Sequence, residues 1–299
     1  MENSPLVSIL INCYNSSNFI VRAVSSVINQ TYQNWELIIW DDGSTDDTIK
    51  IIKNKFNDKR IKTFSQNTNE GLGPSRINAI KKINGSLVSI LDADDFYNNQ
   101  KIYKQVEVFK MNKKVAICAT WANIYDESLN LVEKFESELT NEEIKRRLLL
   151  VNIFPHSSVM YRKDLAINCG WYSELYEYSQ DFDLTVKLIK NNELHLVKEN
   201  LTNITQPLDS MTKSEKYNFI RIKENIKILE TNLKHDKLSN EDFKRIKSII
   251  ETNYLKLSIK QLKTDFLQSI IKIFSIIFKN PLIFFKFKLV RTLLERKKR

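Results

Sequence analysis

Four apolar runs, separated by segments with helical spacing, fill the first 95 residues and restrict the fold more than any other feature. The runs are Leu6–Ile11, Trp35–Trp40, Ile61–Phe64 and Leu87–Leu91. None alternates strictly between apolar and polar residues, which is typical of strands buried on both faces. Four successive strand–helix units predict parallel strands in a doubly wound, mostly parallel α/β sheet. Ligands of such sheets bind beyond the carboxyl ends of the strands.

Polar side chains follow three of these strands at that edge. They are Asn12 to Asn15 with Tyr14 after the first, Asp41 and Asp42 after the second, and Asp92, Asp94 and Asp95 after the fourth. The last three form what we call the acidic turn, residues 92–95. Carboxylates this close repel one another unless a cation lies between them. Oxygen ligands suit Mg²⁺ or Mn²⁺, which take one or two carboxylates plus substrate phosphates. Taken alone, the acidic turn is equally consistent with a solvated surface turn.

The connections between the strands carry further signals. Neither a G-x-G-x-x-G fingerprint nor a Walker loop follows the first strand, so a glycine-rich loop is not expected to hold a nucleotide. Ser44 and Asp47 resemble a capping box for a helix near residues 46–56, with acids in its first turn. Pro74 suits the first turn of the following helix.

Composition bounds the classes of protein that remain. The net charge of +10 suggests a nucleic-acid partner, but residues 270–299 alone contribute +8 of it. A nearly neutral body argues against nucleic-acid binding. Cys13, Cys118 and Cys169 are odd in number and widely spaced, which argues against a disulfide framework or a zinc site and fits a reducing compartment.

The sequence changes character after about residue 210. Residues 214–262 have helical periodicity with a break near 238–240, and residues 270–290 are strongly apolar with Lys272, Lys279 and Lys286 on one stripe. Pro281 divides this element, and the chain ends in four basic residues, 296–299. The pattern predicts an interfacial anchor attracted to anionic lipid, and helices packed on the rest of the protein are the alternative.

Two expected absences bear on location. The sequence contains no run of 18 uncharged apolar residues, so we expect no membrane-spanning helix. Residues 1–5 lack the basic start and apolar core of a secretory signal. We therefore expect a cytoplasmic protein that is peripheral on the inner face of the cell membrane.

Seven motifs together resemble the inverting family 2 nucleotide-sugar glycosyltransferases of bacterial surface-polysaccharide synthesis. They are residues 7–15, 41–46, 69–71 with Arg76, 92–95, 156–162, 170–171 and 180–184. The resemblance spans roughly residues 5–195 and implies the Rossmann-like GT-A fold. It also implies a catalytic domain over residues 1–210, with a nucleotide-sugar half (1–97) and an acceptor half (98–210). Residues 211–299 would form a helical extension.

The resemblance also implies roles on the donor side. Asn12 and Tyr14 would flank the base, with Tyr14 stacking on it. Asp42 would accept a hydrogen bond from the uracil N–H, and Arg76 would lie beside the nucleotide. In the acidic turn, Asp92, or alternatively Asp94, would bind the ribose hydroxyls. Asp94 together with Asp95 would hold a divalent metal, Mn²⁺ or Mg²⁺, on the diphosphate of a UDP-sugar.

On the acceptor side, Asp181 resembles the catalytic base of the family. A carboxylate at the start of a helix is expected to stay ionised in the field of the helix dipole, which suits a base. A simple capping acid is the alternative for Asp181 taken alone. Gln180 replaces the usual Glu before it, which leaves the role of that neighbour open. His156, Trp171 and Gln180 are the candidate acceptor or accessory residues.

The resulting hypothesis is a metal-dependent, inverting and non-processive hexosyltransferase. It would move a sugar from a UDP-sugar to a hydroxyl of a saccharide acceptor linked to polyprenyl diphosphate, giving a β linkage in O-antigen, capsule or lipooligosaccharide synthesis. One alternative is a sugar-phosphate nucleotidyltransferase or another metal-dependent nucleotide-binding enzyme, although the glycine-rich motif of the former is missing. The other is a non-catalytic basic protein that binds nucleic acid or a membrane.

Overall fold

A computed structural model describes residues 4–206, 214–234, 238–262 and 265–280. Among these residues, nine strands form one sheet in the order β3-β2-β1-β4-β8-β6-β9-β5, with β7 paired to β6. The strands are β1 (Val7–Cys13), β2 (Trp35–Asp41), β3 (Ile61–Ser65), β4 (Leu87–Ile90), β5 (Phe96–Tyr97), β6 (Val115–Tyr125), β7 (Leu131–Phe135), β8 (Met160–Arg162) and β9 (Glu193–Thr205).

The first four strands are mutually parallel, as their apolar runs predict. Pairing in the second half is mixed: β8 is antiparallel to both β4 and β6, whereas β9 is parallel to β6. The helices that connect the strands are α1 (Ile20–Ile28), α2 (Thr48–Lys55), α3 (Leu72–Ile80), α4 (Lys101–Met111), α5 (Asn141–Leu148), α6 (Lys163–Asn168) and α7 (Gln180–Asn191). The predicted α/β architecture is confirmed, with parallel strands in the first half and a sheet that is mixed as a whole.

Helices cover both faces of the sheet, and strand β1 shows how. Ile9 and Ile11 lie in one apolar core with Val24 of α1, whereas Leu10 lies in a second core with Ala79 of α3. Successive side chains of a strand point to opposite faces, so a strand without polar alternation needs a cover on each side. This three-layer arrangement leaves the carboxyl edge of the parallel strands as the open edge.

The predicted capping box of α2 is wrong. Asp47 occupies the N-cap position without a side-chain hydrogen bond, and the first turn contains no acid. The Ser44 hydroxyl instead donates to the Asp41 carboxylate, and Asp46 accepts from the Thr48 N–H at 3.0 Å. The local pattern does not predict the cap correctly, because Asp41 at the end of β2 binds the Ser44 hydroxyl that a capping box would use. Helix α3 carries Pro74 in its first turn, as predicted.

The chain divides into two compact units, and the second begins at Ser214. Its described helices are α8 (Glu215–Leu233), α9 (Asn240–Gln261) and α10 (Phe266–Lys279), so the predicted break near residues 238–240 is confirmed. None of the described helices is long and apolar enough to cross a membrane. Pro281, Lys286, the basic residues 296–299 and the side chain of Lys279 lie outside the described part of the chain.

Candidate active site

The acidic turn leaves β4 and is held firmly by its neighbours. Both oxygens of the buried Asp95 carboxylate accept hydrogen bonds, from the Ser157 hydroxyl at 2.5 Å and from the Thr205 N–H at 2.8 Å. The same Ser157 oxygen accepts from the Asp92 N–H at 2.9 Å. Ser157 lies in a 3₁₀ turn, His156–Ser158, that packs against β4. This turn therefore fixes both ends of the acidic turn.

A cation reaches the acidic turn from α1. One nitrogen of Arg22, Nη2, donates to the Asp94 carbonyl and to the Thr205 hydroxyl, both at 2.8 Å. The guanidinium also lies over the Phe96 ring, with its carbon 4.8 Å from the ring centroid. Arg22 thus joins the acidic turn to the end of β9, and no motif in the sequence points to it.

Burial makes the carboxyls of the acidic turn harder to ionise, and the charges of neighbouring carboxyls add to this at Asp94 and Asp95. Burial, followed by the charge of Asp92, raises the pKa of Asp94 to about 6. Burial also raises the pKa of Asp92, which Arg76 opposes, and raises that of Asp95 well above its usual range. The Asp92 side chain nevertheless stays 45% exposed, so it remains accessible to a ligand.

This donor set fits a divalent cation. The described residues contain no preassembled group of three or more His, Cys, Asp or Glu side chains that could hold a metal. Mg²⁺ or Mn²⁺ needs only one or two carboxylates when substrate phosphates complete its coordination, and a bound cation would offset the repulsion between these side chains. Asp94 is the better placed ligand, because both oxygens of Asp95 are already engaged by Ser157 and Thr205.

Asp42 organises the loop on the other side of β1. Its carboxylate accepts from the Glu70 N–H at 3.1 Å, from the Gly71 N–H at 3.0 Å and from the Gln66 amide. Burial still raises the pKa of Asp42 overall. The adjoining Gly43 has φ of +74°, and an added Cβ would lie 2.6 Å from the carbonyl carbon of Thr68. The two loops can approach this closely only at a glycine.

Two predicted base-flanking residues follow β1. Tyr14 is 46% exposed, so its ring is open to stacking. The Asn12 amide donates to the Ser75 hydroxyl at 2.8 Å, which connects the end of β1 to α3. Both residues lie on the same edge of the sheet as Asp42.

Arg76 is buried and held by a directed chain of hydrogen bonds. Its Nη2 lies 2.9 Å from His156 Nδ1, and His156 Nε2 lies 3.1 Å from the Tyr172 hydroxyl. A guanidinium only donates, so Nδ1 must accept, and the ring proton belongs on Nε2, facing Tyr172. Burial, followed by Arg76, lowers the His156 pKa well below its usual range. His156 is therefore neutral, with both ring nitrogens engaged, and it orients Arg76 rather than binding a metal.

Asp181 opens α7 and comes from the second half of the unit. Its Oδ2 accepts from the Asn152 amide at 2.7 Å, and its Oδ1 accepts from the Phe182 N–H at 2.9 Å. Burial is the largest effect on Asp181 and raises its pKa, which is opposite to the direction expected from a helix start alone. Arg76 opposes this rise at Asp181 and the corresponding rise at Asp92, so the two carboxylates lie near one shared cation.

Trp171 and Gln180 lie inside the protein rather than at its surface. Both are buried, and the Gln180 amide donates to the Ser173 carbonyl at 3.0 Å. Trp171 packs edge-on against Tyr172, with ring centroids 6.1 Å apart. These positions support α7 and Tyr172 from inside, so neither side chain forms the exposed floor that acceptor contact requires.

The sequence of this chain matches a known protein family. Residues 8–170 match the model of the family described as "Glycosyl transferase family 2". The chain belongs to this family. The predicted membership of the family 2 glycosyltransferases is therefore confirmed. Glycosyltransferases of this family and fold typically use a divalent metal.

Two relatives show the extent of the similarity. An uncharacterized glycosyltransferase of Haemophilus influenzae is 40% identical over 121 residues, which cover 40% of this chain and 48% of that protein. The UDP-Glc:alpha-D-GlcNAc-diphosphoundecaprenol beta-1,3-glucosyltransferase WfgD of Escherichia coli is 28% identical over 193 residues, which cover 64% of this chain and 73% of that protein. The chain thus spans less than half the length of the first relative.

A solved structure shares the fold of this glycosyltransferase. The crystal structure of S. aureus TarS 1-349 in complex with UDP-GlcNAc superposes with a TM-score of 0.67 over 91% of this chain and 79% of that one, at 18% identity. The predicted GT-A fold is confirmed.

Proposed function

We propose that this glycosyltransferase moves a sugar from a UDP-sugar to a hydroxyl of a saccharide linked to polyprenyl diphosphate, with inversion to a β linkage. The observation that carries the proposal is the shared cation. Burial raises the pKa of Asp92 in the donor half and of Asp181 in the acceptor half, and Arg76 is the charge that opposes the rise at both. A displacement reaction needs groups of the two halves to converge in this way, because nucleophile and leaving group must meet at one carbon.

On the donor side, Tyr14 stacks on the uracil and Asn12 flanks it. Asp42 accepts from the ring N–H through the acceptor position that its three donors, Gln66, Glu70 and Gly71, leave on the carboxylate. Asp92 keeps an exposed side chain that can accept from the ribose hydroxyls. Asp94 would hold the Mn²⁺ or Mg²⁺, and Asp95 positions the turn. When bound, the cation supplies positive charge beside the departing diphosphate.

On the acceptor side, Asp181 takes the proton of the attacking hydroxyl. The acceptor oxygen forms its bond to the anomeric carbon while the bond from that carbon to the β-phosphate oxygen breaks. UDP departs with the electron pair. Burial raises the Asp181 pKa toward the working pH, which strengthens the carboxylate as a base, while Arg76 and the Asn152 amide keep it available in its charged form.

The relatives support the choice of substrates. WfgD is named for transfer from UDP-Glc to a sugar on diphosphoundecaprenol, and it aligns with 64% of this chain. We extend that chemistry to this enzyme and infer that it works in surface-polysaccharide assembly. Such an acceptor is anchored in a bilayer, which supports a cytoplasmic enzyme peripheral on the inner face of the membrane. Residues 211–299 are proposed to provide that attachment.

The test compares two neighbouring carboxylates of α7. Asp181→Asn should lower kcat by about 10²–10⁴-fold in release of UDP from a panel of UDP-sugars with a diphosphoundecaprenol-linked GlcNAc acceptor, because the proton loses its acceptor. Asp183→Asn is the matched control, since Asp183 is buried on the same helix but pairs with Lys187 at 2.6 Å. It should retain kcat within a few-fold.

Two results would contradict the proposal. One is equal loss of activity in both variants at equal melting temperature, since Asp181 would then have no special role. The other is a failure of every UDP-sugar in the panel to react when wild-type protein is folded and Mn²⁺ is present. Retention of configuration in the product, measured by NMR, would reject the inverting mechanism alone.

A further inference from the structure

Helix α10 exposes an apolar stripe that nothing in the described part of the chain covers. Leu267 is 70% exposed, Ile271 60%, Phe274 68% and Phe278 90%. Their spacing of four, three and four residues places them on one line along the helix. We call these four residues the α10 stripe. An isolated exposed apolar side chain is ordinary, whereas four in a continuous line mark an interaction surface.

The opposite side of α10 is already occupied. Ser269 is buried, and the amide of Asn280 donates to Glu251 of α9 at 2.8 Å. Exposed polar residues, Gln268, Lys272 and Ser275, border the α10 stripe along one flank. The helix therefore has a packed side, an exposed apolar line and a polar border that includes a lysine. That order is typical of helices that lie in a membrane interface.

A basic groove adjoins the same helix. Lys223, Lys227 and Lys272 line a groove of about 380 Å³ between α8, α9 and α10. Glu230 is its one acidic lining residue, and its carboxylate accepts a hydrogen bond from the Tyr254 hydroxyl at 2.8 Å. The groove consequently carries a positive excess, which favours a phosphate-bearing partner.

We propose that the C-terminal unit docks on an anionic phospholipid bilayer. The α10 stripe enters the interface, and Lys223, Lys227 and Lys272 contact lipid phosphates. Charge complementarity favours a bilayer over a second copy of this chain, because a two-fold contact through the α10 stripe would bring Lys272 toward its own equivalent. The inference deepens the proposed function, since it places the protein where a lipid-linked acceptor resides.

The experiment is sedimentation with vesicles, using full-length protein without donor or acceptor. Wild-type protein should bind vesicles of phosphatidylcholine and phosphatidylglycerol in equal parts, and bind phosphatidylcholine alone at least tenfold more weakly. The double variant Phe274→Ser, Phe278→Ser should lose at least tenfold in affinity for the anionic vesicles. Met111→Ser removes an apolar side chain that is 83% exposed in the catalytic unit, and it should bind like wild type.

A second pair of variants tests the charges separately. Lys272→Glu should weaken binding to anionic vesicles several-fold and become indistinguishable from wild type at high salt. Lys113→Glu, an exposed lysine outside the groove, is its control. This pair keeps the proposal testable if the double phenylalanine variant fails to fold.

Three outcomes would overturn the proposal: no binding of wild type to anionic vesicles, unchanged binding of the double phenylalanine variant, or unchanged binding of Lys272→Glu at low salt. The wild type could instead be a dimer that the double phenylalanine variant converts to a monomer, with neither protein binding vesicles. That result would assign the α10 stripe to a contact between copies of the chain. A protein that binds vesicles but transfers no sugar would contradict the proposed function and leave the docking surface intact.

Discussion

Lys101 is a fully buried amine behind the acidic turn. Its Nζ donates to the Ser89 hydroxyl at 3.1 Å and to Gln105 Oε1 at 3.0 Å, and it lies 4.0 Å from the centroid of the Tyr97 ring. None of the described residues that it hydrogen-bonds is a carboxylate. Burial accordingly lowers the pKa of Lys101 to about 7. The amine spans β4 and α4, and it is neutral over much of the alkaline range.

This depressed pKa predicts a pH-dependent stability. Between about pH 7 and pH 10 the unfolded chain holds a proton on Lys101 that the native chain has lost, so the free energy of unfolding should rise with pH. We expect the free energy of unfolding of the wild type, measured relative to that of Lys101→Met, to increase by up to about 1.4 kcal/mol per pH unit from pH 7 to 9 in urea titrations. The facing groups do not interfere, because burial raises the pKa of Tyr97 well above its usual range and that of Cys118 to about 12. A constant difference between the two proteins would show that Lys101 does not titrate there.

Helix α1 matters to the site through one side chain, Arg22. It reaches the Asp94 carbonyl and the Thr205 hydroxyl and so connects α1 to the acidic turn and to the end of β9. Its Nε is buried and has no hydrogen-bond partner among the described residues. These contacts make Arg22 a positioning residue, since it acts through the backbone of Asp94.

Arg22→Met should therefore loosen the acidic turn. Hydrogen bonds from a charged donor contribute about 1.5–3 kcal/mol each, so we expect kcat/KM to fall about 10- to 100-fold and Mn²⁺ affinity, measured by electron paramagnetic resonance, to weaken with it. Arg60→Met is the control, because Arg60 stacks on Trp35 at 3.6 Å and pairs with Asp58 at 2.7 Å, contacts that do not involve the acidic turn. Equal losses in both variants would assign Arg22 a purely structural role.

At the scale of the whole molecule, ligand binding should increase the free energy of unfolding. A ligand that binds only the native state at 100 times its Kd adds about 2.7 kcal/mol to the free energy of unfolding. UDP with Mn²⁺ should thus raise the melting temperature by about 5 °C or more, as differential scanning calorimetry would record. EDTA should remove most of the shift if Asp94 holds a cation on the diphosphate. CDP should give a much smaller shift, because cytosine N3 carries no hydrogen to donate to Asp42 in the proposed role. An equal shift with CDP, or with EDTA present, would contradict these roles.

The sequence predicted the frame of this molecule well, for a physical reason. Strands covered on both faces must be continuously apolar, so β1, β2, β3 and β4 are visible as short runs of such residues. The polar residues after these runs lie on one edge, because parallel strands share a direction. Asp42, Asp92 and Asp94 could therefore be placed from the chain alone.

Side chains that act from distant segments could not be predicted. Arg22 and Asp94 are hydrogen-bonded although they are 72 residues apart in the sequence, and Asn152 and Asp181 are 29 residues apart. No local sequence pattern predicts either contact. Local rules also failed where the fold offered a stronger partner: Ser44 bonds to Asp41 instead of capping α2, and burial outweighs the helix dipole at Asp181. The desolvation of a side chain depends on how densely other segments pack around it, and the sequence alone does not contain that information.

The order of the strands has a consequence for how such enzymes diversify. The strands before Asp92 form one contiguous block of the sheet, β3-β2-β1-β4, and the later ones form the other, β8-β6-β9-β5. In the proposed function the earlier block binds the UDP-sugar and the later block binds the acceptor. Mutations in the later block, away from the Ser157 and Thr205 contacts to the acidic turn, would then change which alcohol is accepted and leave the donor site as it is.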